Sequence, residues 1–564
     1  MIGVIANPAD EGVVCEFFEL FKTPWEFYRE GESYEVVLCA GVQQLEVRAA
    51  KLLLIYAGRC LSSDTADNIP VALHDKDARL LSYQGRRLPI YGDCVCFPQD
   101  RGDILVHIET RRPAASVQRG GGSTRVRIGY DLFSEIRTLL TAGQPPDHAN
   151  IPTLELHIAL LRDLIIASGA ALVEIPPVPE GYAFIACLTH DVDHPSVRHH
   201  RFDHTMFGFL YRAIFGSVLD VARNRASFSD LLSNWAAALK LPLVHIGLAD
   251  DFWLKFQDYP KVEGGAPSSF FVIPFKGRPG HRGATPAPKR RAARYGAADI
   301  AAQIRTLMAA GCEIGLHGID AWGDSSRGRE ELEEIQRVTG VRDIGVRMHW
   351  LYFDEQSPLN LERAGAAYDS TVGYNQAVGF RAGTMQAYKP LQAKQLLELP
   401  LHVMDTALFY PSRLNISPAE AKLQVGDIID HAVRFGGSVT VNWHDRSLAP
   451  ERQWGRFYVE LIDDLKSRGA WFSTASQAVA WFRKRRSAVF ETIGWESDRL
   501  RVKVAVDGKE ELPPLRLHIH KPGSGAAGAT AATSRGCDIQ MSLSGSIDTV
   551  VSLAGSREPA NSPR

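Results

Sequence analysis

Three stretches of this chain end an apolar run on residues able to bind a metal or move a proton. In CLTHDVDHP (187–195) the apolar residues run straight into a histidine and two aspartates. Asp191 and Asp193 are two apart, so on extended backbone both side chains face the same way. Two carboxylates at one spot disfavour joint ionisation unless a cation neutralises one. The competing reading is a loop with helix-capping aspartates. EIGLHGIDAW (313–322) repeats the arrangement, with an apolar run ending in His317 and then Asp320. A neutral imidazole and a carboxylate suit zinc and similar divalent ions, although a lone histidine after a strand is as often structural. SVTVNWHD (438–445) delivers His444 in the same way. Three strand ends that each present a His or an Asp point to a metal-assisted site.

The elements that must position these residues alternate between β-type and helical runs from 183 to about 485. Strands are predicted at AFIACLT (183–189), SSFFVIP (268–274), CEIGLH (312–317), DIGVRM (343–348), LLELPL (396–401) and SVTVNW (438–443). Helices are predicted over DIAAQIRTLMAAG (299–311), with Asp299 as N-cap, and from the capping box SPAE at 417–420. Strands alternating with helices imply parallel β with α crossovers, and catalytic groups then sit at the C-terminal strand ends. About six to eight strands over this length favour a barrel over an open doubly wound sheet.

At 564 residues, more than one domain is expected. Within residues 1–175, positions 1–145 alternate short apolar runs, EVVLCAG (35–41), KLLLIYA (51–57) and DILVHIET (103–110), with polar turns. Residues 1–175 together read as an N-terminal accessory α/β domain, with the basic, Gly-rich segment 117–125 as a loop. GGG at 120–122 lacks the GKS/T of a phosphate loop. LELHIALLRDLIIASG (154–169) has helical spacing, and the Pro-rich 175–181 reads as a linker. After 485, residues 486–521 read as a small β extension, and 522–564 as a mostly disordered tail with a weak strand near 538–552. The net charge of −2 creates no field toward a polyanion, and no nucleic-acid partner is expected. Eight cysteines, mostly isolated in apolar runs, read as buried free thiols. The N-terminus has no basic region before an apolar core, and nowhere do about 18 uncharged apolar residues run together. A cytoplasmic protein without a transmembrane segment is therefore expected.

The motifs, taken in order, resemble a known family. THDVD (189–193), SSFFV (268–272), GLHGID (315–320), GVRMHWLYFDEQSPLNLERAGAAYDST (345–371), ELPLHVMD (398–405) and VNWHD (441–445) look like those of the polysaccharide deacetylases. These are metal-dependent carbohydrate esterases with a NodB-homology domain, and the first motif here is the variant with its two acids one residue apart. The likeness covers about residues 180–485. It implies a distorted (β/α) barrel with fewer than eight complete units and one divalent metal ion, zinc first, with Co2+ or Mn2+ as alternatives. It also implies roles: Asp191 as general base, Asp193 and His317 as metal ligands, Arg347 orienting Asp191, His444 as general acid and Asp405 holding His444 in its tautomer. The implied reaction is removal of N-acetyl groups from a glycan or glycan precursor in polysaccharide biosynthesis or modification.

One position departs from the family's pattern. A second metal histidine is expected four residues after the first, and Ala321 stands there. Asp320 is expected as the replacement, with His349 or a water as alternatives. A weakly bound metal would also fit a catalytically silent carbohydrate-binding scaffold, and related barrels hydrolyse other C–N bonds such as cyclic amides. The segment 276–294 carries seven Lys or Arg and no acid. It reads as a solvated surface loop or as a flap attracting an anionic or lipid-linked carbohydrate.

Overall fold

A computed structural model of the chain describes residues 1–41, 47, 49–66, 69, 71, 73–75, 80–98, 103–223, 227–283, 285–496, 499–506, 511–520 and 539–552. The chain divides into two compact units. One comprises Met1–Leu139, Thr153–Glu180 and Trp481–Arg564, and the other Leu140–Pro152 and Gly181–Ala480. This differs from the expected serial division, because the C-terminal strands belong with the N-terminal ones. Strand pairing is the reason. Leu172–Glu174 runs antiparallel to Leu515–His520, which runs antiparallel to Ile539–Leu543. Ile547–Ser552 likewise pairs with Arg499–Ala505, and that strand with Val489–Glu496. In the tail, the weak strand expected near 538–552 is present as two strands, Ile539–Leu543 and Ile547–Ser552, and 522–538 and 553–564 lie outside the described residues.

The first unit is built on a six-stranded sheet. Its order is Ala115–Gly120, Ser123–Ile128, Leu52–Tyr56, Val36–Ala40, Ile2–Ile5, Trp25–Phe27, parallel except for the first pair. Val36–Ala40 and Leu52–Tyr56 are buried at every position, as central strands covered on both faces must be. The segment expected to be a basic loop is instead the hairpin of the first pair. Gly121 and Gly122, at φ 59° and 81°, supply the two positive-φ residues that a tight hairpin turn requires. The strand expected over 103–110 is reduced to Val106–His107. Cys39, Cys94, Cys96, Cys187 and Cys312 are buried as expected, whereas Cys60 is exposed.

The second unit is a mixed α/β layer system around a curled parallel sheet. Its strands are β1 (Phe184–Val192), β2 (Ser268–Val272), β3 (Glu313–Gly318), β4 (Val346–Met348), β5 (Val403–Met404), β6 (Ser438–Asn442) and β7 (Ala470–Phe472). The order is β4-β3-β2-β1-β6-β5, with β7 also beside β1, and every pairing is parallel. Single parallel bridges, Val346 to Asp369 and Asp369 to Glu398, carry the curl beyond β4. The chain that passes Glu398 runs on into β5, so the hydrogen-bonded path returns to β6 and β1. Pro400, which has no N–H to give a ladder, lies in the stretch 396–401, and the strand expected there shrinks to the bridge at Glu398.

One apolar core joins the strands to the helices outside them. Leu188, Phe270, Leu316, Val346 and Val441 meet Ile304 and Leu307 of Ala301–Ala309, Leu332 and Ile335 of Ser325–Thr339, and Val425 and Ile429 of Pro418–Phe435. The last helix starts as its sequence predicts. Glu420 N–H donates to Ser417 Oγ at 3.3 Å, and Ser417 N–H donates to Glu420 Oε2 at 2.8 Å. Asp299 caps one turn earlier than expected, accepting from Gly296 N–H at 3.0 Å ahead of a short 3-10 turn. Between β1 and β2 stand two more helices, His204–Ala222 and Phe228–His245. The first spans 19 residues at mean hydropathy 1.3, long and apolar enough by those two measures to cross a membrane. Arg212 and Asp220 break its apolar run, which hides it from a search for uncharged stretches.

Candidate metal centre and active site

Along β1 the side chains alternate between two surroundings. His190 is fully buried, its Nδ1 against Trp443 O at 2.7 Å and its Nε2 against Glu263 Oε1 at 2.7 Å, and it packs between Tyr259 and Phe270. Asp191 and Asp193 both face a cavity of about 180 Å³ at the C-terminal ends of the strands. The same cavity is lined by His317 from the end of β3, His349 just past β4 and His444 just past β6.

Asp193, His317 and His349 form a donor cluster, with all three ligand atoms within 4.8 Å of one another. His317 Nε2 is 3.3 Å and His349 Nε2 3.5 Å from Asp193 Oδ1. His317 Nδ1–H donates to the Arg347 carbonyl at 2.9 Å, so in the neutral ring the lone pair is on Nε2, toward Asp193. Asp193 Oδ1 is buried and has no hydrogen-bond partner, an arrangement that is costly unless something cationic occupies the space. Burial pushes the Asp193 carboxyl up, but His349, His317 and His444 hold it well below the usual carboxylate range. Burial pushes His349 the other way, well below an ordinary histidine, with Asp193 opposing and His317 and Arg291 reinforcing. One carboxylate oxygen with two neutral imidazole nitrogens is a donor set that fits zinc, cobalt or manganese.

The ligand expected at Asp320 is corrected by its placement. Its carboxylate accepts from His281 N–H at 2.7 Å and from Arg327 Nη1 at 3.2 Å, and lies outside the cluster. Position 321 is likewise uninvolved, since Ala321 is fully buried in the core. His349 instead completes the three-residue donor cluster. It follows β4 directly, and the carbonyls of His349 and Ile319 both accept from Arg291 Nη2, at 2.9 and 3.0 Å. Glu331 receives the N–H groups of Ile319 and Asp320 at 2.9 and 2.8 Å, which fixes the turn after His317; burial raises its carboxyl to about 7.

Two polar pairs flank the cluster. Asp191 accepts from Arg347 Nη1 at 3.2 Å and from Asn442 Nδ2 at 2.7 Å. Arg347, fully buried, is itself fixed by Thr189 Oγ1 at 2.6 Å and by the Ser370 carbonyl and hydroxyl, both at 2.9 Å. Asp405 is fully buried beside the other pair member. His444 Nδ1 is 2.6 Å from Asp405 Oδ1, His444 N–H donates to Oδ2 at 2.7 Å, and the Ser447 hydroxyl donates to the same oxygen. Burial opposes a charge on His444, but Asp405, with Asp193 and Asp191 adding, raises it to about 9. Burial also lifts Asp445 to about 6, with Asp193 adding, and that carboxyl accepts from His194 N–H at 2.6 Å in the loop after Asp193.

Asn442, Arg291 and Glu331 escaped the sequence reading. Asn442 carried a signal, since it precedes His444 by two and alternation gives both one face. The cavity wall beyond the polar groups includes Trp350, Leu351, Asn375, Tyr410 and Arg413. Trp350 and Leu351 hold φ of 65° and 53°, a strained conformation for bulky residues, and Asn375 Nδ2 donates to the Trp350 carbonyl at 3.0 Å. A second donor cluster, Glu174 with His518 and His520, lies in the first unit. There both oxygens of Glu174 already bond Arg162, at 3.0 and 2.8 Å, so its charge is met without an ion.

No family model matches the chain, and no curated protein matches it. Among solved structures it is similar to a protein assigned as a polysaccharide deacetylase from Mycobacterium smegmatis, at 20% identity and TM-score 0.34, over 55% of this chain and 95% of that one. It is also similar to a mutant CE4 family pseudoenzyme with restored enzymatic activity, at 11% identity and TM-score 0.25, over 54% and 70%. A GH57 branching enzyme from Thermococcus kodakaraensis is similar at 10% identity and TM-score 0.27, over 53% and 71%. These are distant likenesses of fold, and what the site can do follows from its own side chains.

Proposed function

We propose that the chain is a metal-dependent hydrolase that removes N-acetyl groups from a glycan or glycan precursor. One observation carries the reading. The three-donor cluster of Asp193, His317 and His349 shares a cavity with two pairs of opposite chemical use, Asp191 with Arg347 and His444 with Asp405. A divalent ion held by the three donors, zinc first, supplies Lewis acidity toward an amide carbonyl and lowers the pKa of an adjacent water. Asp191, aimed by Arg347 and Asn442, takes the proton of the attacking water. His444, kept charged by Asp405, donates its Nε2 proton to the departing nitrogen as the C–N bond breaks, leaving acetate and an amine. Trp350 and Tyr410 offer flat faces for a sugar ring. Arg290 of the basic segment lies 5.6 Å over the Trp350 ring, which favours an anionic substrate at the rim.

Metal analysis of the purified protein, paired with acetate release from N-acetylated oligosaccharides, tests this. Activity is expected to vanish with a chelator and return with zinc or cobalt. Metal-loaded protein that releases no acetate from any N-acetylated glycan overturns the reading.

A further inference from the structure

Outside the cavity, the largest anomaly of the second unit is the helix pair between β1 and β2. Of 24 large apolar side chains exposed among the described residues, 14 lie between 202 and 248. The first helix is apolar on both faces. It turns Met206, Phe209 and Ala213 inward, against Trp253 and Ala449. Its outward positions are Phe207, Tyr211, Phe215, Val218 and Leu219, 44–62% exposed. The second helix exposes Leu232, Trp235, Leu239 and Leu243. The two faces adjoin, because Trp235 Nε1 donates to the Ile214 carbonyl at 3.4 Å. Patches of this size on a soluble protein mark an interaction surface.

We propose that this helical hairpin lies on a lipid surface. Its apolar face would sit at the boundary of headgroups and acyl chains, with a cationic edge at the lipid phosphates. Charge supplies the argument for lipid. At the fully exposed positions of the two helices the one charged residue is Lys240, whose stem is long enough to reach outward from an apolar setting. No exposed acid stands there to set an ion-pair register with a partner chain. Beside the patch, HPSVRHHR (194–201) carries two exposed arginines, Arg198 and Arg201, and no acid, while burial pushes its three histidines down and leaves them uncharged at neutral pH. Arg198 and Arg201 donate to the Ala249 and His245 carbonyls, at 3.0 and 3.5 Å, which fixes this cationic edge at the end of the second helix. The hairpin lies on the membrane and does not span it, because one side of the first helix is packed on protein. It is mounted on the loops that follow β1 and β6, the ends that carry Asp193 and His444. Binding through it brings the cavity mouth to the headgroup layer, where a lipid-linked carbohydrate is presented. The membrane assignment stands on the hairpin alone, whatever reaction the cavity performs.

Co-sedimentation of the full chain with phosphatidylcholine vesicles, with and without phosphatidylglycerol, tests it. Wild type is expected to bind both and to prefer the anionic vesicles. Phe215→Ser with Leu239→Ser, both exposed and so harmless to folding, is expected to lower partitioning at least ~10-fold on both. Arg201→Gln with Lys240→Gln is expected to cost about fivefold per charge on anionic vesicles only. Thermal melts matching wild type certify the variants. Wild type left in the supernatant with both vesicles, or binding unchanged by the serine pair, overturns the proposal. So does sedimentation equilibrium showing self-association that the serine pair abolishes, with no vesicle binding, since the occupant is then a second copy.

Discussion

His349 and Asp320 make opposite demands on one experiment. His349→Ala removes one of three donors, and metal affinity is expected to fall about as far as in His317→Ala, beyond the ~10–100-fold typical of groups behind the ligands. Asp320→Ala breaks bonds to His281 and Arg327 away from the cluster and is expected to keep full metal occupancy. Equilibrium dialysis separates the two; an emptied site in Asp320→Ala would reverse the assignment. His444 offers a second test. In the proposed reaction its acid form donates the proton, and that form is held to about pH 9, so activity is expected to fall as pH rises through about 9. Asp405→Asn removes the charge that supports that acid form. The alkaline limb then moves down toward the ordinary histidine range near ~6.5, with turnover at neutral pH lowered ~100-fold or more. An unmoved limb would assign it to another group.

Short segments between the elements do much of the positioning. The basic segment is not a uniformly solvated loop, because Arg291 is 1% exposed and binds the Pro279, Ile319 and His349 carbonyls. Gly280 permits the docking: at φ 76°, a Cβ there would lie 2.6 Å from Asp320 Oδ1. Arg291→Ala is therefore expected to loosen the turns that carry His317 and His349 and to weaken metal binding ~10–100-fold with both histidines intact. Unchanged affinity by competition with a chelating dye would reduce Arg291 to a packing role. Ser417→Ala, in contrast, removes one cap from the helix Pro418–Phe435 on the outer layer. It is expected to cost ~1 kcal/mol in thermal melts and to leave metal content untouched.

Over the second unit as a body, stability is tied to acid through a histidine that does not line the cavity. His402 is 2% exposed, with Nδ1 accepting from Thr440 N–H and Nε2 against the Thr384 carbonyl, and burial lowers it to about 4. Its folded pKa lies below the unfolded value near ~6.5, so the unfolded chain binds the proton first as pH falls. The stabilisation is complete above about 6.5 and is lost on descent to about 4, on the order of 3 kcal/mol in all. Unfolding at pH 7 and 4.5 is expected to show a shallower pH dependence in His402→Gln than in wild type. Equal slopes would mean that His402 is free to ionise in the fold.

Much of the site was legible before any coordinates because β1, β3 and β6 are buried apolar runs that stop on polar residues. A strand buried on both faces admits ionisable side chains only at its ends, so Asp191, Asp193, His317 and His444 announce themselves. Period-two alternation was enough to put the two aspartates on one face and would have added Asn442. The third member of the donor cluster was not legible in that way. Asp320 and His349 are equally close to apolar runs, and which one reaches Asp193 depends on the turn after β3, where Glu331 holds the backbone and His281 with Arg327 claim the Asp320 carboxylate. Those partners lie seven to 39 residues from Asp320 in the chain, beyond any local pattern. The same holds for the grouping of C-terminal strands with the N-terminal sheet system and for the outward apolar face of the hairpin. Helical spacing records which residues share a side, and only packing against Trp253 and Ala449 settles which side meets protein.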